Sequence, residues 1–174
     1  MLVAFATSGA ADSPRLSAGM GLYRAGNCAA ALEEFQASEK AAEPGAERPF
    51  YQGVCLARRS DWQSAAVYLI RYTTARPADP RGWYWLAQSR LYSRDFERAK
   101  ADIEQAIKLD AVSADSYRTL GEIHLERKDY DAAYRAWIRP TNSRRKIRAR
   151  LTISAVCFLR RIFWMKQRHG SGRH

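Results

Sequence analysis

The sequence predicts an all-α solenoid built from antiparallel helix pairs. Three observations carry that prediction: residue types recur at a constant spacing of 34 with no gap, small and large apolar residues alternate in fixed columns, and a short acceptor precedes each second helix. No strand is needed to accommodate the pattern.

Blocks of 34 residues begin at Asp12, Ala46, Pro80 and Ala114. The eighth column reads Gly19, Gly53, Ala87 and Gly121, and the twentieth reads Ala31, Ala65, Ala99 and Ala133. The twenty-fourth reads Phe35, Leu69, Ile103 and Trp137. A Gly or Ala on one helix and an Ala on the next let two backbones approach closely, and the large residue then fills the angle between them. These columns are the expected repeat-packing residues. The sixteenth column, Asn27, Asp61, Asp95 and Asp129, is followed by Cys28, Trp62, Phe96 and Tyr130. A short acceptor there caps free N–H groups of the second helix, and its charge suits the helix dipole.

In chain order the pattern places paired helices near 13–25 and 29–42, 47–59 and 63–76, 81–93 and 97–110, and 115–127 with a short partner near 131–138. The competing all-helical reading, a four-helix bundle, does not require a strict 34-residue period. The domain reading is an extension over 1–11, an array over 12–138 in blocks 12–45, 46–79, 80–113 and 114–138, and a basic tail over 139–174.

The columns resemble the tetratricopeptide pattern of W-x2-L-G-x2-Y, then A-x3-F, then P. Trp83-Tyr-Trp-Leu86-Ala87 and Tyr117-Arg-Thr-Leu120-Gly121 match its opening. Ala99-x3-Ile103-x2-Ala106, and Ala65-x3-Leu69 with Pro77, match its close. Departures are Arg15 and Pro49 where Trp is usual, Leu22, Leu56, Arg90 and His124 where Tyr is usual, and Pro140 where Ala is usual.

The resemblance implies a right-handed superhelix of about three and a half repeats whose first helices line a concave partner-binding surface. Its groove-facing columns are filled by Tyr23 and Arg24, then Phe50, Tyr51 and Arg58, then Arg81, Tyr84, Trp85, Gln88 and Tyr92, and last Arg118, Thr119, Glu122 and Glu126. An aromatic groove edged with arginine suits a protein or peptide partner, because these side chains offer large contact area with few rotors. For single residues, Phe50 and Tyr84 especially, packing of one first helix on the next is an equal reading.

Some arrays of this family clamp a C-terminal carboxylate with Lys and Asn. Here Leu16 and Met20 stand in the first block and Tyr51 in the second, and only Arg81 offers the expected charge. A cochaperone role is not expected.

Composition bounds other functions. The net charge of +11 comes from the end of the chain: residues 1–131 hold 17 Lys+Arg against 18 Asp+Glu, and residues 132–174 hold 12 Lys+Arg and no acid. The three cysteines, Cys28, Cys55 and Cys157, form no metal-ligand or redox spacing and read as small buried hydrophobes. Of the histidines, His124 falls in a helix-packing column, and His169 and His174 lie in the tail. With no nucleophile beside a base, no ligand cluster and no phosphate cradle, the reading is a non-enzyme with no cofactor and no metal.

Three readings of the tail stand side by side. Leu151, Ala155 and Phe158 fall in the fourth, eighth and eleventh columns of a fifth block, so a helix near 147–167 could cap the array. Alternatively, Arg144-Arg-Lys-Ile-Arg148 and Arg160-Arg-Ile-Phe-Trp-Met-Lys166 make residues 144–168 a site for nucleic acid or anionic lipid. The apolar run between them, Leu151 to Leu159, is too short to span a bilayer, so no transmembrane segment is expected. A tail foreign to the array explains the loss of acids equally. At the other end the chain as written reads as cytoplasmic, whereas Gly9 and Ala11 before Asp12 would suit the remnant of an export signal.

Overall fold

Seven of the eight helix starts are fixed by a short polar side chain that satisfies a free backbone donor. A computed structural model of the chain describes residues 13–42 and 45–138, and these form α1 (Pro14–Arg24), α2 (Cys28–Lys40), α3 (Arg48–Arg58), α4 (Trp62–Ala75), α5 (Pro80–Tyr92), α6 (Phe96–Leu109), α7 (Ala114–Glu126) and α8 (Tyr130–Ile138). The fold is an all-α solenoid, and the described residues contain no strand.

The acceptor column caps the second helices in every block. Asn27, Asp61, Asp95 and Asp129 accept from the N–H groups of Ala30, Ser64, Arg98 and Ala132 at 3.2–3.3 Å. Among first helices, Ser13, Asp79 and Ser113 cap α1, α5 and α7, while Glu47 before α3 makes no side-chain cap bond. Pro14, Pro49 and Pro80 sit in first turns, where the missing N–H costs nothing. Every helix begins and ends within two residues of the range expected from the sequence.

The turn inside each pair has a feature that residue type conceals. Gly26, Ser60, Arg94 and Lys128 all adopt positive φ, from 62° to 82°. They occupy one column, immediately before the capping Asn or Asp, and only the first is a glycine.

Small residues of the eighth column lie against large residues of the twenty-fourth. A Cβ built on Gly19 falls 2.5 Å from a Phe35 ring carbon, and one on Gly53 falls 2.6 Å from Leu69 Cγ. On Gly121 it meets the Trp137 indole, and Ala87 shares a core cluster with Ile103 and Ala99. Ala31, Ala65, Ala99 and Ala133 are buried on the facing helices. Gly82 has the same role between units: a Cβ there falls 2.7 Å from the Tyr72 ring, so α5 lies tight on α4.

Each helix packs on its chain neighbours, and first helices also touch one another, α1 on α3, α3 on α5 and α5 on α7. The second helices make no comparable contact with each other among the described residues. Closer spacing on one side bends the stack, so the first helices line the inner, concave face. The extension over 1–11 and the tail readings, with Cys157, His169 and His174, lie outside the described residues.

Candidate functional site

The inner face begins with a run of aromatic rings in contact. Tyr23 on α1 meets Tyr51 on α3 edge to face at 5.1 Å, Tyr51 meets Phe50 at 5.4 Å, and Phe50 meets Tyr72 on α4 at 5.1 Å. Two guanidinium groups lie over this run, Arg58 at 4.7 Å from the Tyr23 ring and Arg81 at 5.0 Å from the Phe50 ring. Tyr23 and Tyr51 are half-buried, so each offers an edge to solvent while its body is held by the core. On α5, Tyr84 and Trp85 stand edge to face at 5.7 Å, and both are half-buried.

Farther along, Tyr92 is more than half exposed, yet its ring stacks on Trp62 of α4 at 4.4 Å. That stacking holds an exposed aromatic surface in one orientation before any partner arrives. Next to it a cleft of about 310 Å³ is lined by Leu91, Tyr92, Phe96 and Leu125 together with Arg94, Glu122 and Glu126.

The arginines differ in what they have left to offer. Arg24, at the end of α1, is exposed, and among the described residues Arg58 reaches only Tyr23, whose hydroxyl lies at 3.4 Å and whose ring lies at 4.7 Å. Arg81 is bound to Asp79 at 2.7 Å and lies 3.7 Å from Glu47. Arg118 is bound to Glu122 at 2.7 Å, with Asp115 at 3.8 Å. Among the described residues the first two make no ion pair, and the other two brace the wall.

Arg81 belongs to a network the sequence did not reveal. The Tyr72 hydroxyl donates to Asp79 at 2.6 Å, and Asp79 also accepts from the Arg81 backbone N–H at 2.9 Å. Burial alone would raise the Asp79 carboxyl, but hydrogen bonds from Arg81 and Tyr72 overcome it and hold the group at about 2. Burial, then the bond to Asp79, pushes the Tyr72 hydroxyl well above the usual phenol range. Burial also raises the Tyr51 hydroxyl, aided by Glu47 and opposed by Arg81 and Arg24.

Three residues expected in the groove are instead interior. Gln88 is buried and donates its amide to Thr119 Oγ1 at 2.7 Å, joining α5 to α7. Thr119 is fully buried and donates to the Asp115 carbonyl at 3.0 Å. Phe50 is buried in the central core cluster. The inner columns serve both the seam between first helices and the open face: Gln88 and Thr119 meet across the α5–α7 seam, and Phe50 packs on Tyr72 of α4. Glu126, by contrast, is exposed.

Comparison with known proteins agrees with this architecture. The family model described as tetratricopeptide repeat matches residues 16–80 and 84–143. The fold is similar to that of MamA 41-end from Desulfovibrio magneticus RS-1, with a TM-score of 0.69, 20% identity, and coverage of 74% of this chain and 73% of that one. It is similar to TTC0263, a thermophilic TPR protein of Thermus thermophilus, with a TM-score of 0.61, 17% identity, and coverage of 73% and 71%. It also resembles the first TPR of Spaghetti (RPAP3), solved bound to the HSP90 peptide SRMEEVD, with a TM-score of 0.61, 14% identity, and coverage of 66% and 90%. Among curated proteins, the Sol locus transcriptional repressor of Clostridium acetobutylicum is 29% identical over 83 residues, 48% of this chain and 26% of that protein, so the chain spans about a quarter of that relative's length. With the repeat model matched over most of the sequence and four helix pairs stacked in register, the chain belongs to the tetratricopeptide repeat family.

Proposed function

We propose that the concave face of α1, α3, α5 and α7 binds a peptide or protein segment of a partner and carries out no chemistry. The observation that carries this reading is the aromatic surface of Tyr23, Tyr51, Tyr84, Trp85 and Tyr92, anchored from behind and flanked by Arg24 and Arg58. Anchored rings lose little conformational freedom on binding, and two guanidinium groups with no ion pair among the described residues supply directional hydrogen bonds to backbone carbonyls or carboxylates. A structural neighbour solved with a peptide bound supports the same use of the fold. No helix among the described residues is long and apolar enough to cross a membrane.

The test is partner capture by the full chain, by the chain lacking residues 139–174, and by Trp85→Ala and Tyr51→Ala. A partner retained after tail removal and released by both substitutions supports the groove. Capture of nucleic acid or anionic lipid that needs the tail and is removed by salt favours the basic residues 144–168 instead.

A further inference from the structure

One column of the repeat changes its chemistry along the inner face. The last residue of each first helix is Arg24 on α1, Arg58 on α3, Tyr92 on α5 and Glu126 on α7, the thirteenth position of every block. All four are exposed, and because each first helix touches the next they form one row along the stack. The row passes from two cations through an aromatic ring to an anion. A cation suits the end of a helix, whereas an anion there opposes the helix dipole, so Glu126 is not explained by the stability of α7.

The cleft of about 310 Å³ lies at the anionic end of this row. Leu91, Leu125, Phe96 and Tyr92 supply its apolar lining, and the Tyr92 ring is held in place by Trp62. Its two acids, Glu122 and Glu126, stand one helical turn apart on α7. Its cation, Arg94, lies 5.7 Å over the Phe96 ring. Glu122 is bound to Arg118 at 2.7 Å, and Glu126 makes no ion pair among the described residues. Pockets that hold whole small ligands occupy roughly 300–1,000 Å³, so this one is of a size for a single side chain. An apolar wall ending in an unpaired carboxylate complements an aliphatic stem ending in a cation.

Resting on the groove reading and extending it, we propose that the partner segment lies along this row with a fixed polarity. An arginine or lysine of the segment sits in the cleft with its charge at Glu126, and an acidic side chain at the segment's other end meets Arg24 and Arg58. A segment laid the opposite way would set cation against cation and anion against anion, so the row selects direction as well as composition.

Probes that fill a single position test this without a partner. N-acetyl-arginine methylamide, N-acetyl-glutamate methylamide and N-acetyl-leucine methylamide are titrated into the isotope-labelled full chain, and amide shifts are followed by nuclear magnetic resonance. The arginine probe is expected to move the amides of residues 91–96 and 122–126, and the glutamate probe those around Arg24 and Arg58. Glu126→Gln should weaken the arginine probe about two- to fivefold, while Glu33→Gln, exposed on α2, leaves it unchanged. An arginine probe that moves no cleft amide, or a leucine or glutamate probe that moves them as strongly, overturns the proposal. The groove reading fails separately, because Trp85 does not line the cleft. A silent arginine probe with partner capture still lost in Trp85→Ala removes the polarity alone; capture indifferent to Trp85→Ala removes the groove reading.

Discussion

Gly53 on α3 and Leu69 on α4 meet so closely that a Cβ on the glycine falls 2.6 Å from Leu69 Cγ. Both are fully enclosed in the array, so neither can move aside cheaply. Gly53→Ala is expected to destabilise the chain by about 1–3 kcal/mol, as an extra methyl in a packed interior does. Combined with Leu69→Ala it should cost less than the sum of the two single changes, because the cavity left by one accommodates the methyl of the other. Chemical denaturation of the three variants measures this.

The shared left-handed turn gives a second expectation. Ser60 holds φ at 64° and is exposed, whereas Gly26 holds 82° in the equivalent turn of the first pair. Ser60→Gly should stabilise by about 0.5–1 kcal/mol, since the strain relieved exceeds the added freedom of the unfolded chain. Gly26→Ala should destabilise by about 1 kcal/mol. The pair of melting midpoints checks both signs.

Much of the fold was legible because it depends on local and repeating signals. The columns at Gly19, Gly53 and Gly121 mark where backbones approach, and Asn27, Asp61, Asp95 and Asp129 mark where second helices start. The left-handed column was hidden because Ser60, Arg94 and Lys128 give no sign of positive φ; only alignment under Gly26 could have suggested it. Gln88 and Thr119 were misplaced for a different reason. Their columns also line the seam between first helices, and the bond between them joins residues 31 apart that meet only once α5 and α7 are stacked. The Tyr72–Asp79–Arg81 network was also illegible, since it joins the end of one block to the start of the next.

That network predicts a pH dependence. Asp79 has its pKa depressed from 3.8 to about 2, so it binds protons less readily when folded than when unfolded. Its contribution is therefore present above the unfolded value and is lost as pH falls from about 4 to about 2. Arg81 is about half exposed, with 54% of its side chain in solvent. After discounting for that exposure, Asp79→Asn should cost about 1 kcal/mol at neutral pH. The gap between the variant and the parent should narrow below about pH 4 and close as the pH falls through about 2. Denaturation at a series of pH values measures the gap.

Gln88 separates seam from groove. Gln88→Ala removes the bond to buried Thr119 and should lower stability by about 1–2 kcal/mol. Partner affinity, measured where the variant remains folded, should be unchanged. A loss of affinity with no loss of stability would return Gln88 to the binding face.

The central claim, that the inner aromatic face is the functional surface, is tested most directly by isothermal titration of a captured partner segment against the full chain, the chain lacking residues 139–174, and Trp85→Ala. The account predicts binding that survives removal of the tail and weakens at least about tenfold with Trp85→Ala, while the variant retains its helical signal. Binding that is indifferent to Trp85→Ala, or that disappears with the tail, would contradict it.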